Sequence, residues 1–165
     1  MPCRHGIDKS GRFSQRTCRS NSAGINSRDQ PCRKQPDIPY EIDIQAQQDY
    51  VRVQVTGERR YGDAALEAGQ AGRQIVEYCR NADKYRVLVV LNLRGRLSAT
   101  DSYEIVESSR DYGWDHAYKL AFVDTNEESI DDVRFTETVA VNRAYSVRVF
   151  ADEAEAIDWL CDGPA

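Results

Sequence analysis

The chain has 165 residues, with 22 Lys and Arg against 27 Asp and Glu, a formal net charge of −5 and a mean hydropathy of −0.66. That length fits one ordinary domain with an extension. The acidic total argues against non-specific binding to nucleic acid or anionic lipid, and no apolar run approaches the ~20 residues that a membrane-spanning helix needs.

The charge is unevenly placed. Residues 1–37 hold Arg4, Lys9, Arg12, Arg16, Arg19, Arg28, Arg33 and Lys34 against Asp8, Asp29 and Asp37, so 38–165 carries 14 basic and 24 acidic residues. Phe13 and Ile25 stand alone among polar neighbours. Such a segment buries too little surface to offset its chain entropy, which predicts a disordered basic tail over 1–37 and one domain over 38–165. The tail lacks the apolar core of a secretory signal. It is Arg- and Ser-rich like an organelle transit peptide, but without an amphipathic stripe. Cys3, His5, Cys18 and Cys32 are zinc-ligating types without the close pairs of structural zinc, so no metal is expected. Cys79 and Cys161 read as reduced thiols of a cytoplasmic protein.

From Tyr40 the pattern alternates. "YEIDIQ" sets Tyr40, Ile42 and Ile44 on one face, and "YVRVQVTG" does the same with Val51, Val53 and Val55. With "AQQD" as the turn, they form an antiparallel hairpin. Asp63 stands as N-cap before a helix whose inward stripe is Ala65, Ala68, Gly72, Ile75 and Cys79. Its small residues predict close approach to the sheet. "YRVLVVLNL" is continuously apolar, the mark of a strand buried on both faces. A helix through Ile105 and Val106 follows and stops near Gly113. "YKLAFVD" is the next strand. An acidic loop leads to a helix with Phe135, Val139 and Asn142 on one side. "YSVRVF" is the last strand, and "ADEAEAIDWL" is a terminal helix turning Ala154, Ile157, Trp159 and Leu160 inward. The order β-β-α-β-α-β-α-β-α predicts an α/β domain with a mostly parallel sheet, an initial antiparallel hairpin and helices packed on the sheet.

The run "FTETVAVNRAYSVRVFADEAEAIDWL" resembles the SpoIIAA-like branch of the STAS (STAS/SEC14-like) domain family. There a helix ends in an Asn-Arg-Gly turn, which feeds a "VRVF" strand, an acidic cap and an "A-x-x-WL" helix. The element order from 40 to 162 is similar to a STAS domain too. Ala144 departs from the pattern, standing where the family tends to have Gly. The resemblance implies a bacterial-type, non-enzymatic regulatory module that binds a protein partner, as anti-sigma-factor antagonists do. Such modules are switched by phosphorylation of a Ser in an "Asp-Ser-Ser-Gly"-like motif at the start of the second long helix. It also implies an alternative, a carrier or sensor of an apolar small molecule or lipid, since relatives with a related sheet hold lipids in a cleft.

"LSATDSYEIV" holds half of that motif, Asp101-Ser102. Thr100 or Asp101 as N-cap, with Glu104 three beyond Asp101, explains these residue types as a capping box. A phosphate on Ser102 would meet the helix N-terminus and its dipole. On that reading Ser102→Glu leaves the fold intact. Ligands of open α/β sheets sit beyond the carboxyl ends of the strands. This nominates Asn92, Arg94, Ser98, Thr100, Asp101 and Asp124 as a ligand or partner site, with Trp114 beside an apolar cleft. His116 has no nucleophile motif around it, and the nucleotide, hydrolase and zinc signatures are absent. A hydrolase using Asp124 or His116 is the weakest alternative. No cofactor is expected. The acidic pairs Glu127-Glu128 and Asp131-Asp132 read as a solvated loop.

Overall fold

The computed structural model describes residues 39–60 and 62–162. The expected tail and its zinc-type residues lie outside them. The elements are β1 (Tyr40–Ala46), β2 (Val51–Glu58), α1 (Ala64–Ala82), β3 (Arg86–Arg94), α2 (Ala99–Ser108) continued by a 3-10 turn (Ser109–Tyr112), β4 (Lys119–Asp124), α3 (Ile130–Val141), β5 (Ser146–Phe150) and α4 (Glu153–Cys161). This is the expected order. The sheet runs β1-β2-β3-β4-β5, with β1 antiparallel to β2 and every other pair parallel.

Each parallel strand lies beside its predecessor, always on the same side. Right-handed crossovers therefore place α1, α2 and α3 on one face. That face carries Val51, Val53, Val55, Val87, Val89, Leu91, Leu120 and Phe122, with Ile75, Val76 and Cys79 of α1 against them. α4 follows the last strand and closes on the opposite face, where Ala156 and Leu160 meet Leu88, Ala121, Val123 and Phe150. β3 is thus covered on both sides, which its unbroken apolar run requires. The second face of β1 stays wet, with Glu41, Asp43 and Gln45 exposed, so β1 alternates.

Four details differ from the sequence reading. The small residues of α1 admit aromatic rings as well as approaching the sheet. A Cβ on Gly69 would overlap the Tyr112 ring, and one on Gly72 would meet the Trp114 indole. On α3, Val133, Val139 and Ala140 are buried, whereas Phe135 and Asn142 are exposed. Phe135 leans instead on Tyr103 of α2, ring centroids 5.8 Å apart and edge-on. On α4, Ala154 is exposed and Ala156 takes the inward place. Asp63 does precede α1, but its side chain makes no capping hydrogen bond.

α3 ends through Ala144 at φ 63, with Ala144 N–H bonding to Val141 O at 2.9 Å and Tyr145 N–H to Ala140 O at 3.2 Å. A left-handed residue at this place is normally Gly because a Cβ crowds the following carbonyl. Ala144→Gly is expected to raise stability by about 1 kcal/mol, measured by urea denaturation with an unchanged m-value.

Candidate functional site

β4 is an interior strand, yet Phe122 on its α1–α3 face is only half-buried, as are Val147 and Val149 on β5. The helices do not close fully over these residues. Between them lies an apolar cavity of about 190 Å³. Val89, Leu91 and Phe122 form its floor, and Ala68, Gly72, Ile105 and Ala140 its helical wall. Trp114 and Tyr145 line it beside the turn after α2, and Tyr40, Arg59 and Leu97 line it near the carboxyl ends of the strands.

The polar groups around this space are mostly engaged with one another. Tyr145 OH lies 2.9 Å from Ser109 Oγ, within hydrogen-bond distance. Glu137 reaches the edge strand, where its carboxylate accepts from Val149 N–H at 2.9 Å, and so blunts an open sheet edge. Tyr40 OH hydrogen-bonds to the buried Glu67 carboxylate; burial first, and this bond second, push the phenol well above its usual range. Glu67 also accepts from Arg60 Nε at 2.5 Å.

Asp124 lies at the end of β4, 1% exposed. It accepts from Ser129 Oγ and from Asn126 N–H, both at 2.9 Å, and stands 4.0 Å from Arg59 Nη2. Arg59 continues the face of Val55 and Gly57 one step past β2, which carries it inward. Burial lowers its pKa, and the charge of Asp124 opposes that shift.

The strand-end residues are split by register. Leu91 pairs with Asp124, so Asp124 shares the cavity face with Leu91 and Leu93. Asn92 and Arg94 occupy alternate positions, point to the other face and are exposed; Arg94 lies 3.7 Å from Glu58. These two therefore do not join Asp124 in one site.

The helix cap of the 98–102 junction falls at Ser98, ahead of both expected positions, Thr100 and Asp101. Ser98 is the N-cap, accepting from Asp101 N–H at 3.1 Å, while the Asp101 carboxylate accepts from Ser98 N–H at 3.0 Å. Asp101 is thus the N3 partner of a capping box, Thr100 is exposed, and Glu104 has no part in the cap. Ser102 is 0% exposed. Its Oγ donates to Ser98 O at 3.1 Å and lies 2.9 Å from Thr136 Oγ1 of α3. Transfer of a phosphoryl group to this hydroxyl requires α2 and α3 to separate first.

The remaining candidates have structural partners. The His116 ring packs on Tyr145 at 4.9 Å, and Nε2 lies 2.8 Å from Arg110 Nη2. Arg is only a donor, so Nε2 accepts; its neighbour is a cation and not a nucleophile. Asp132 is held by Arg96 through Nε at 2.6 Å and Nη2 at 2.8 Å, and accepts from Leu97 N–H at 3.1 Å. The Arg96 guanidinium holds the Asp132 carboxyl below its ordinary value. This residue therefore belongs to a loop clamp. Among the described residues no group of three His, Cys, Asp or Glu is placed to hold a metal ion, and no helix is long and apolar enough to cross a membrane. Cys79 and Cys161 are unpaired; burial pushes the Cys79 thiol up to about 11.

Arg59, Glu67 and Tyr40 were missed as a cluster by sequence reading. The signal for Arg59 was present: the two-residue period of Val51, Val53 and Val55 continues through Gly57 to position 59.

No family model and no curated protein matches the chain. Among solved structures it is similar to an uncharacterized protein from the DUF3478 family with a SpoIIAA-like fold, from Shewanella loihica PV-4. The two are 18% identical, the match covers 84% of this chain and 100% of the other, and the TM-score is 0.45.

Proposed function

We propose that the domain is a non-enzymatic binding module of the cytoplasm, and that its site is the cavity between the sheet and α1–α3, which takes a small apolar molecule. The observation that carries this reading is the half-buried Phe122 on an interior strand, facing a space with apolar walls. Well-packed interiors leave few voids larger than a water molecule, and an apolar cavity of about 150 Å³ is enough to bind benzene. A space of about 190 Å³ suits one aromatic ring with a few further carbons. The carrier or sensor reading therefore takes precedence over the partner-binding one.

Toluene is expected to raise the melting temperature of the full chain in proportion to its concentration, as any ligand selective for the native state does. Ala68→Leu, which fills part of the cavity, is expected to melt higher than wild type and to lose most of the toluene response. Native mass spectrometry of freshly purified protein is expected to show a co-purifying small molecule. A wild-type melting curve indifferent to toluene, together with a clean apo mass, would sink the reading.

A second reading, partner binding, draws on the surface of α2 and α3. Tyr103 and Phe135 are 48% and 38% exposed and pack edge-on, with the Arg143 guanidinium 5.8 Å from the Tyr103 ring centroid. Exposed aromatics beside Arg are the residue types that anchor protein interfaces. Tyr103→Ser with Phe135→Ser would then abolish retention of a partner while leaving the toluene response untouched.

A further inference from the structure

We infer that the molecule taken by this cavity is a small arylalkanoic acid, whose carboxylate is received by Arg59. The inference rests on the cavity reading and adds the polar end of the ligand. The Arg59 side chain is 5% exposed and lines the cavity. A guanidinium has five N–H donors and no acceptor. Among the described residues the Arg59 side chain makes one hydrogen bond, from Nη1 to Gly95 O at 2.9 Å.

Asp124 does not use the remaining donors. It lies 4.0 Å from Nη2, close enough to offset charge but beyond hydrogen-bond reach. Its two oxygens already accept from Ser129 and Asn126. The guanidinium fork matches a carboxylate through two parallel bonds.

Three other polar groups at the cavity do not compete for an anion. Tyr40 is turned to Glu67. Glu137 holds Val149 N–H and is itself an anion. The Ser109 hydroxyl, within reach of Val106 O and Tyr145 OH, is occupied. One end therefore offers unfilled cationic donors, while the rest of the wall is largely apolar. A molecule that satisfies both has a single carboxylate and a hydrophobic body of about one ring. Asp124 already balances part of the Arg59 charge, so the gain comes from hydrogen bonds to a charged group, on the order of tenfold in affinity.

The test is calorimetric titration of the full chain with 3-phenylpropionate and with 3-phenylpropan-1-ol, which share the body and differ in the head. Wild type is expected to bind the acid about tenfold more tightly than the alcohol. Arg59→Met keeps most of the apolar stem and removes the fork. It is expected to weaken the acid to the level of the alcohol and to leave the alcohol unchanged. Equal binding of the two by wild type, or a preference that survives in Arg59→Met, would overturn the inference. If Arg59→Met does not fold, the Arg59 Nε–H resonance of wild type decides. A shift on adding the acid and not the alcohol supports the contact, and an unmoved resonance overturns it. The two readings fail separately. Protein that binds toluene and shows no preference for the acid has the cavity site without the carboxylate, whereas protein that binds none of the three has neither.

Discussion

Ser102→Glu is expected to lose about 3–5 kcal/mol of stability, the range for leaving an uncompensated charge inside a protein. Position 102 lies in the first turn of α2, where an acidic side chain ordinarily gains a few tenths of a kcal/mol from the helix dipole. That gain requires solvent, and Ser102 has none. Its hydroxyl fills the contact between α2 and α3, bonded to Ser98 O and beside Thr136 Oγ1. A glutamate there must bury its carboxylate among these groups or push the helices apart. Ser102→Ala is expected to cost about 1 kcal/mol, because Thr136 can keep its bond to Asp132 O at 3.1 Å. Ser98→Ala is also expected to cost about 1 kcal/mol, as a lost N-cap does, whereas Thr100→Ala is expected to be nearly neutral. Urea denaturation of the four variants measures this order. A Ser102→Glu protein as stable as wild type would mean that α2 readily leaves α3, and the phosphorylation reading would gain the access it lacks.

The fold was legible because its elements differ in period. The alternation at Tyr40, Ile42 and Ile44 marks a strand with one wet face, and the unbroken run from Val87 to Leu91 marks one covered on both. Helix boundaries were legible to within a turn. Ser98-x-x-Asp101 and Asp101-x-x-Glu104 are both capping frames, and local residue types do not choose between them. Burial of Leu97 and the Asp132 bond to its N–H settle the earlier frame. Both depend on tertiary structure, the second through Asp132 of α3. Phe135 was misplaced for the same reason, since the inward side of α3 depends on where α2 lies.

The site was less legible. Which strand ends share a face depends on inter-strand register, so Asn92 and Arg94 appeared to belong with Asp124. Trp114 was recognised as a cleft residue, but a cavity is a shortfall of packing and no residue type encodes it. Arg59 is the instructive case. Two-residue periodicity places it inward, while its charge argues for the surface. The two rules conflict at one position, and such conflicts tend to fall at functional or strained sites.

Asp124→Ala is expected to cost about 3–5 kcal/mol, through charge more than through lost packing. The change leaves the Arg59 guanidinium 5% exposed with no countercharge at 4.0 Å. It also strips the acceptor from the Ser129 hydroxyl and from Asn126 N–H, and Ser129 is 0% exposed. Asn126 in turn donates from Nδ2 to Leu93 O at 3.1 Å, so loosening it releases the loop between β4 and α3 from the end of β3. A double-mutant cycle separates these contributions. Arg59→Met relieves the stranded cation without restoring any Asp124 bond. If charge dominates, Arg59→Met with Asp124→Ala is expected to be more stable than Asp124→Ala alone, recovering about half of the loss. If the loop bonds dominate, the second change recovers nothing. The cycle also bears on the ligand. A carboxylate bound at Arg59 supplies the countercharge that Asp124→Ala removes, so 3-phenylpropionate is expected to stabilise Asp124→Ala more than it stabilises wild type. An equal or smaller shift in melting temperature would mean that the acid does not reach Arg59.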